Sequence, residues 1–139
     1  MRMENILAGA AVLALMASAA VPAAAAADEE KVVNGITYAC AGVGGESQND
    51  PRWPAYPAKL VFAGGNGDYL SDIAVTIEST KGGTVFETVC DGPWLLVNLP
   101  PDKYRITAVA EQAYRNEFTM TVGSGHQVEK IVRFPEVMR

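Results

Sequence analysis

The sequence predicts an all-β protein, a small antiparallel β-sandwich, and three observations support this. Short apolar stretches alternate with clusters of turn-forming residues over residues 36–135, which is the pattern of sandwich strands. No stretch in that range keeps a helical period of apolar residues for more than two turns. An apolar stretch runs into Pro100-Pro101 and is followed by Tyr104, which predicts a turn between two strands at one corner of the sandwich.

Eight strands are expected between glycine- and proline-containing turns. They are residues 36–41, 58–63, 73–78, 84–90, 94–99, 104–110, 114–122 and 126–134, and the last two are expected to form a hairpin through residues 123–125. Strict alternation along these strands predicts which side chains face the core. The expected core residues are Val75, Ile77, Trp94, Leu96, Leu99, Tyr104, Ile106, Phe118 and Val132. Residues 42–57 are polar and broken by Pro and Gly, which predicts a long loop with a helical turn near residues 46–50.

The N-terminal residues have the pattern of a secretory signal peptide. Arg2 precedes an Ala-rich apolar run over residues 6–27, which ends at the acidic residues that begin with Asp28. This pattern predicts a signal peptide at residues 1–27, cleaved after Ala25 or Ala27. An uncleaved membrane anchor is the alternative, because the run is just long enough to span a bilayer. Residues 28–35 are then a linker and residues 36–135 the domain of a periplasmic or secreted protein, with no stable membrane insertion after cleavage.

The net charge of the chain narrows the possible binding partners. The 139-residue chain has a net charge of −5, which argues against nucleic acid as a partner because phosphate binding requires clustered Lys and Arg.

Cys40 and Cys90 are the two cysteines, and an exported chain with a small even number of cysteines usually pairs them. The sequence therefore predicts a Cys40–Cys90 disulfide. A metal pair or a redox pair is the alternative, but the chain has no C-x-x-C motif and only one His.

The corner sequence resembles the carboxypeptidase regulatory-like (transthyretin-like) domain family. The residues that fall on the family pattern are Gly92, Trp94, Leu96, Leu99, Pro101 and Tyr104, and Asp102 stands where the family usually has Gly. Residues 70–77, followed by Lys81-Gly82-Gly83, resemble the hairpin that precedes this corner in the family. The resemblance covers about residues 58–134 and is greatest to small exported single-domain members found in bacteria. It implies a Greek-key sandwich of seven to eight strands, and it implies no catalytic residue.

Few residues of the chain suggest catalysis. His126 is the only His, so a serine triad or a histidine-rich metal site is not expected, and we interpret it as an exposed residue at the start of a strand. The acidic pairs Asp68 with Asp72 and Glu46 with Asp50 could serve a glycosidase or a calcium site. We interpret them as solvated turn formers, because scattered acids in loops usually are and the EF-hand spacing is absent. The sequence therefore predicts a protein that is not an enzyme and holds no metal or cofactor.

The best candidate for a binding site is the proline-rich segment at residues 52–57. Trp53 and Tyr56 are aromatic residues that, if exposed, can stack on sugar rings or on prolines of a peptide, and Arg52 adds a cation. The alternative is that these rings fold back and cover an open end of the sandwich. The leading hypothesis is a non-enzymatic exported module that binds a protein or a glycan of the cell envelope. A carbohydrate-active or metal-dependent hydrolase, or a purely structural envelope protein, are the alternatives.

Overall fold

The computed structural model describes residues 28–138, so the predicted signal peptide at residues 1–27 lies outside the described residues. Within them, the chain is a two-sheet β-sandwich with one short helix, as the sequence predicts. The elements are β1 (Glu30–Val33), β2 (Ile36–Ala41), α1 (Gly44–Gln48), a 3₁₀ turn (Trp53–Ala55), β3 (Ala58–Gly64), β4 (Ile73–Ser79), β5 (Thr84–Cys90), β6 (Trp94–Val97), β7 (Asp102–Ala110), β8 (Tyr114–Val122) and β9 (Val128–Phe134).

The strands form a five-stranded sheet and a four-stranded sheet. The order is β9-β3-β6-β2-β1 in the five-stranded sheet and β5-β4-β7-β8 in the four-stranded sheet. The pairs within the four-stranded sheet are all antiparallel. In the five-stranded sheet, β9 pairs with β3 in parallel, with Val128 opposite Ala58 and Phe134 opposite Gly64.

The predicted hairpin between the last two strands is wrong. β8 and β9 belong to different sheets, and the turn at residues 123–127 carries the chain from one sheet to the other. The Val128 N–H donates to the carbonyl of Pro57, 2.9 Å away, which fixes the start of β9 beside β3. Alternation along a strand has the same period in parallel and antiparallel pairs. The sequence pattern of β9 therefore does not indicate which strand it joins.

The predicted linker at residues 28–35 contains a ninth strand within the described residues. β1 pairs antiparallel with β2, and the two are joined by Asn34 and Gly35, whose φ angles are +52° and +75°. An Asn-Gly turn with positive φ at both positions is the preferred two-residue hairpin connection. The acidic and basic residues of β1 obscured this signal, because an exposed edge strand needs no continuous apolar face.

The main hydrophobic core lies between the two sheets. Inward-facing residues from both sheets, such as Leu60, Phe62, Ile77 and Ile106, have no exposed surface. Eight of the nine predicted core residues are buried, but only six of them lie in this core, because Trp94 and Leu96 face the outer side of the five-stranded sheet. Phe118 is half-buried. Phe118 lies on the edge strand β8, where the Lys130 ammonium is 5.3 Å from the centre of its ring. Its exposure therefore follows from its place at the open side of the sandwich.

The structure explains why Tyr104 and Gly92 occupy their positions in the corner sequence. The Tyr104 hydroxyl donates to the carbonyl of Pro100 at 2.5 Å, which holds the turn between β6 and β7. Burial raises the pKa of Tyr104, and the nearby Asp102 carboxylate adds to this shift. Gly92 lies against β2, where a Cβ atom would be 2.7 Å from the carbonyl oxygen of Ala41. A larger residue at Gly92 would therefore separate β6 from β2.

The predicted disulfide is confirmed. Cys40 on β2 and Cys90 at the end of β5 are bonded, with their Cα atoms 5.5 Å apart and a sequence separation of 50. The bond joins the five-stranded sheet to the four-stranded sheet, and no free cysteine is left among the described residues. In the chain-entropy model, closing a loop of this length stabilises the fold by about 4 kcal/mol.

Candidate functional site

The loop at residues 42–57 lies across the outer face of the five-stranded sheet and forms a second hydrophobic cluster there. Outward-facing residues of β2, β3 and β6 meet two aromatic side chains of the loop. We call this cluster the outer core; its members are Ala39, Ala41, Trp53, Tyr56, Val61, Trp94 and Leu96. Because the loop covers this face, all four residues of β6 are buried.

The start of the loop packs closely on Trp94. Gly42 has φ +98°, and a Cβ atom there would be 2.6 Å from Cγ of the Trp94 ring. The Lys59 ammonium lies 3.4 Å from the centre of the same ring, a cation–π contact that a half-buried lysine can make. This contact and the absence of a side chain at Gly42 let the loop lie flat on the sheet.

The end of the loop is held by hydrogen bonds to its aromatic residues. The indole N–H of Trp53 donates to the carbonyl of Ser47 at 2.7 Å. The side-chain amide of Gln127 donates to the carbonyls of Trp53 and Tyr56 at 2.8 Å and 3.0 Å. The Trp53 and Tyr56 rings meet edge to face with their centres 5.9 Å apart. Trp53 and Tyr56 are therefore held by contacts within the loop and by Gln127.

The first residues of the described chain are tied to the loop. The Tyr56 hydroxyl donates to the Glu30 carboxylate, and burial, followed by this hydrogen bond, raises the pKa of Tyr56 well above its ordinary value. The Ser47 hydroxyl donates to the Asp28 carboxylate at 2.5 Å. An Arg52 N–H donates to the Asp28 carbonyl at 2.9 Å. The contacts bring β1 and the loop together along one side of a cleft.

Arg52 is largely neutralised by its neighbours. Its Nε is 3.0 Å from Asp50 Oδ1 and its Nη2 is 2.7 Å from Asp50 Oδ2, a bidentate pair. The Arg52 hydrogen bonds hold the pKa of Asp50 below its usual range. Arg52 Nη1 is 3.6 Å from a Glu30 carboxylate oxygen. Two carboxylates, those of Asp50 and Glu30, therefore lie against one guanidinium, so the cluster as a whole is anionic.

Between β1, the sheet and the loop lies a cleft of about 360 Å³, which we call the loop cleft. It is lined by Glu30, Thr37, Arg52, Ala55, Tyr56 and Asn98. A second cleft of about 600 Å³, the end cleft, adjoins it at the end of the sandwich and shares Ala55 and Asn98. Pro54, Pro57 and Pro100 lie along the end cleft together with His126. The two clefts form one connected surface around Ala55.

The structure separates the three predicted binding residues. Arg52 and Tyr56 line the loop cleft, and the Arg52 side chain is 36% exposed. Trp53 is only 2% exposed and belongs to the outer core. Trp53 and Tyr56 do not offer exposed rings for stacking; as in the alternative given above, both rings fold back, here onto the outer face of the five-stranded sheet. The Arg52 guanidinium lies over the Trp53 ring at 4.5 Å, so this cation faces the aromatic group of its own loop.

Sequence reasoning missed Glu30, Thr37 and Asn98, which complete the loop cleft together with the predicted segment. Val32 on β1 pairs with Thr37 on β2, and the Asn98 N–H donates to the Thr37 carbonyl at 2.9 Å. Glu30, Thr37 and Asn98 therefore come together only through strand pairing. The Asn34-Gly35 hairpin turn was the one signal in the sequence that could have placed β1 beside β2.

His126 is exposed at the rim of the end cleft, as expected for a residue near the start of a strand. Within residues 28–138, no three His, Cys, Asp or Glu side chains are close enough together to hold a metal ion. None of the helices in the same range has the length and apolar character needed to cross a membrane. His126 therefore contributes one polar group to the cleft.

No protein-family model matches the chain, and no curated protein matches it. The geometry of the clefts and the sequence patterns described above are therefore the basis for a functional proposal.

Proposed function

We propose that this protein is a non-enzymatic exported β-sandwich module that binds a component of the cell envelope, a protein or a glycan, and that a protein segment occupies the loop cleft. The observation that carries the proposal is the connected surface of the loop cleft and the end cleft around Ala55. A Greek-key connectivity and the resemblance to carboxypeptidase regulatory-like domains belong to this proposal.

A rigid wall beside the loop cleft favours a binding role. The loop is packed through Trp53 and Tyr56 and hydrogen-bonded to Gln127 and Ser47. A cleft with fixed walls needs no ordering of the protein when a partner arrives, and this lowers the entropic cost of association. Buried aromatic residues in the loop thus serve binding indirectly, by holding the cleft open in one shape.

The chemistry of the clefts favours a protein segment over a glycan at this position. Sugar sites commonly offer an exposed aromatic ring, whereas Tyr56, the aromatic residue of the loop cleft, is only 6% exposed. The walls instead offer proline and leucine side chains beside a carboxylate, a hydroxyl and an amide. Because the Arg52 cluster is anionic, the partner segment is neutral or cationic.

Two features support an exported location. The pattern of residues 1–27 is that of a secretory signal peptide. The Cys40–Cys90 disulfide suits an oxidising compartment such as the periplasm or the extracellular space. Both features agree with a partner in the cell envelope.

The test is affinity capture from an envelope extract with matched variants. Ala55→Arg places a long cationic side chain where the two clefts meet, and we expect it to abolish capture of the partner. Ala74→Arg is the control, because Ala74 is exposed on the outer face of the four-stranded sheet. Both variants should unfold within about 0.5 kcal/mol of the wild type, as surface substitutions do. Equal capture by both variants, or turnover of a substrate by the purified protein, would contradict the proposal.

A further inference from the structure

The one exposed aromatic side chain of the described chain lies far from the loop cleft. Tyr69 is 52% exposed, and every other Phe, Trp or Tyr within residues 28–138 is buried or half-buried. It lies between β3 and β4, close to Pro93, which precedes β6. Asn98 of the loop cleft follows the other end of β6. Tyr69 therefore lies at the opposite end of the sandwich.

The backbone around Tyr69 is well held. Tyr69 pairs with Ala63 in a β-bridge, and the N–H of the buried Leu70 donates to the carbonyl of Phe62 at 3.0 Å. The turn before it is closed by the Gly64 N–H, which donates to the carbonyl of Asp68 at 2.8 Å. An exposed ring on a fixed backbone can receive a ligand with little loss of conformational entropy.

Two clefts flank the Tyr69 ring. One, of about 280 Å³, is lined on its polar side by Gln48, Ser71 and Asp91. The other, of about 150 Å³, is lined by Ser71, Asp72 and Glu111. Tyr69, Leu70 and Ser71 belong to both. The ring thus forms a ridge between two small depressions, each with hydrogen-bonding groups within reach of it.

The charges of these clefts define the ligand. Asp72, Asp91 and Glu111 contribute carboxylates, and no Lys, Arg or His is among the described residues that line either cleft. Carboxylates accept hydrogen bonds from hydroxyl groups and repel anions. The apolar face of a sugar ring fits the face of an exposed tyrosine. The hydroxyl groups of the sugar can then reach the carboxylates in the clefts on both sides of the ring. An acidic sugar is disfavoured by the same carboxylates.

We propose that Tyr69 and its two flanking clefts form a binding site for a neutral glycan, with the Tyr69 ring as the stacking surface and Gln48, Asp72 and Asp91 as hydrogen-bonding partners. This inference extends the binding role proposed above, and it concerns a site separate from the loop cleft. The protein then holds a glycan at one end of the sandwich and a protein segment at the other.

The test is calorimetric titration of the protein with three neutral trisaccharides: maltotriose, cellotriose and chitotriose. We expect at least one of them to bind, and a trimer of galacturonic acid not to bind. Tyr69→Ala should weaken that binding about tenfold or more, the effect of losing about 1.4 kcal/mol of contact energy. Tyr69→Phe is the matched control, because it keeps the stacking surface, and its affinity should stay within a few-fold of the wild type.

Three outcomes would overturn this site: no binding of any neutral trisaccharide, equal binding by Tyr69→Ala, or preferred binding of the acidic trimer. Capture of the envelope protein by Tyr69→Ala should equal that of the wild type. A failure at Tyr69 with capture intact therefore rejects only the glycan site. Unchanged capture by Ala55→Arg, with glycan binding intact, rejects only the loop cleft.

Discussion

Replacement of Gly42 by Ala tests whether the loop lies on Trp94 as described. The added Cβ would be 2.6 Å from Cγ, 2.8 Å from Cδ1 and 2.9 Å from Cδ2 of the Trp94 ring, well inside normal contact distances. The residue also has φ +98°, a conformation that side chains other than Gly rarely adopt. The substitution therefore adds a steric clash to backbone strain.

Gly44→Ala separates these two effects. Gly44 has φ +85° in the same loop, but a Cβ there would meet no atom within 4 Å. Backbone strain of this kind costs about 1–2 kcal/mol, and overpacking costs about 1–3 kcal/mol more. We therefore expect Gly44→Ala to lower the free energy of unfolding by about 1–2 kcal/mol and Gly42→Ala by about 2–5 kcal/mol.

Urea unfolding monitored by tryptophan fluorescence measures both values. Trp53 and Trp94 both lie in the outer core, so their emission reports on the part of the molecule that Gly42→Ala disturbs. We also expect red-shifted emission in folded Gly42→Ala, because a lifted loop exposes Trp94 to water. A Gly42→Ala variant as stable as Gly44→Ala, with unchanged emission, would show that the loop does not pack on Trp94.

The remaining predictions concern the disulfide and pH. Alkylation of the denatured, unreduced protein should label neither Cys40 nor Cys90, and reduction should lower the free energy of unfolding by about 4 kcal/mol; two labelled thiols in the intact mass would rule out the bond. Because hydrogen bonds from Arg52 lower the pKa of Asp50, the stability that this group contributes is present above its unfolded pKa of about 3.9. That stability is lost as the pH falls through the pKa of Asp50 in the folded protein. Asp50→Asn should therefore lose less stability than the wild type between about pH 4 and pH 2. Because burial raises the pKa of Tyr56, the stability of the fold should decline as the pH rises above about 10, the pKa of tyrosine in the unfolded chain. A Tyr56→Phe variant with an unchanged alkaline decline in thermal unfolding would contradict that assignment.

The strands and the inter-sheet core were predictable because they depend on local alternation. Residues 73–78, for example, show period-two burial in the structure as in the sequence, and a half-buried strand requires that period. The parallel pairing of β9 with β3 was not predictable in this way. It depends on which distant strand offers a free edge, and the sequence of Val128–Phe134 does not encode that choice locally.

The candidate site was predictable only in part, for a related reason. The sequence singled out the proline-rich segment as a binding candidate, and Arg52 and Tyr56 of that segment line the loop cleft. The Trp53 ring points to the sheet because Trp94 and Leu96 of β6 face outward and are apolar. That face of the sheet must therefore be covered. Four apolar residues in succession, Trp94 to Val97, were a sign of this cover in the sequence, because a strand with one solvated face alternates apolar and polar residues.

No signal in the sequence distinguishes Tyr69 from the other tyrosines. It follows a Gly-Gly-Asn-Gly-Asp turn, and a residue beside a turn can face either the core or solvent. The next residue, Leu70, takes the buried position, and this leaves Tyr69 exposed. Asp72 is close to Tyr69 in sequence, but Asp91 and Glu111 are 91 − 69 = 22 and 111 − 69 = 42 residues away. These two acids meet Tyr69 only through the sandwich fold, as non-local contacts in β proteins do.

The most direct test of the central claim, that a partner binds at the loop cleft, is a chemical-shift map of the ¹⁵N-labelled protein with the captured partner. The protein should show its largest changes at the backbone amides of Thr37 and Ala55 and at the side-chain amide of Asn98, which together line the cleft. The amides of Ala74 and Thr76, on the outer face of the four-stranded sheet, should not move. Changes confined to that sheet, with Thr37, Ala55 and Asn98 unaffected, would contradict the account.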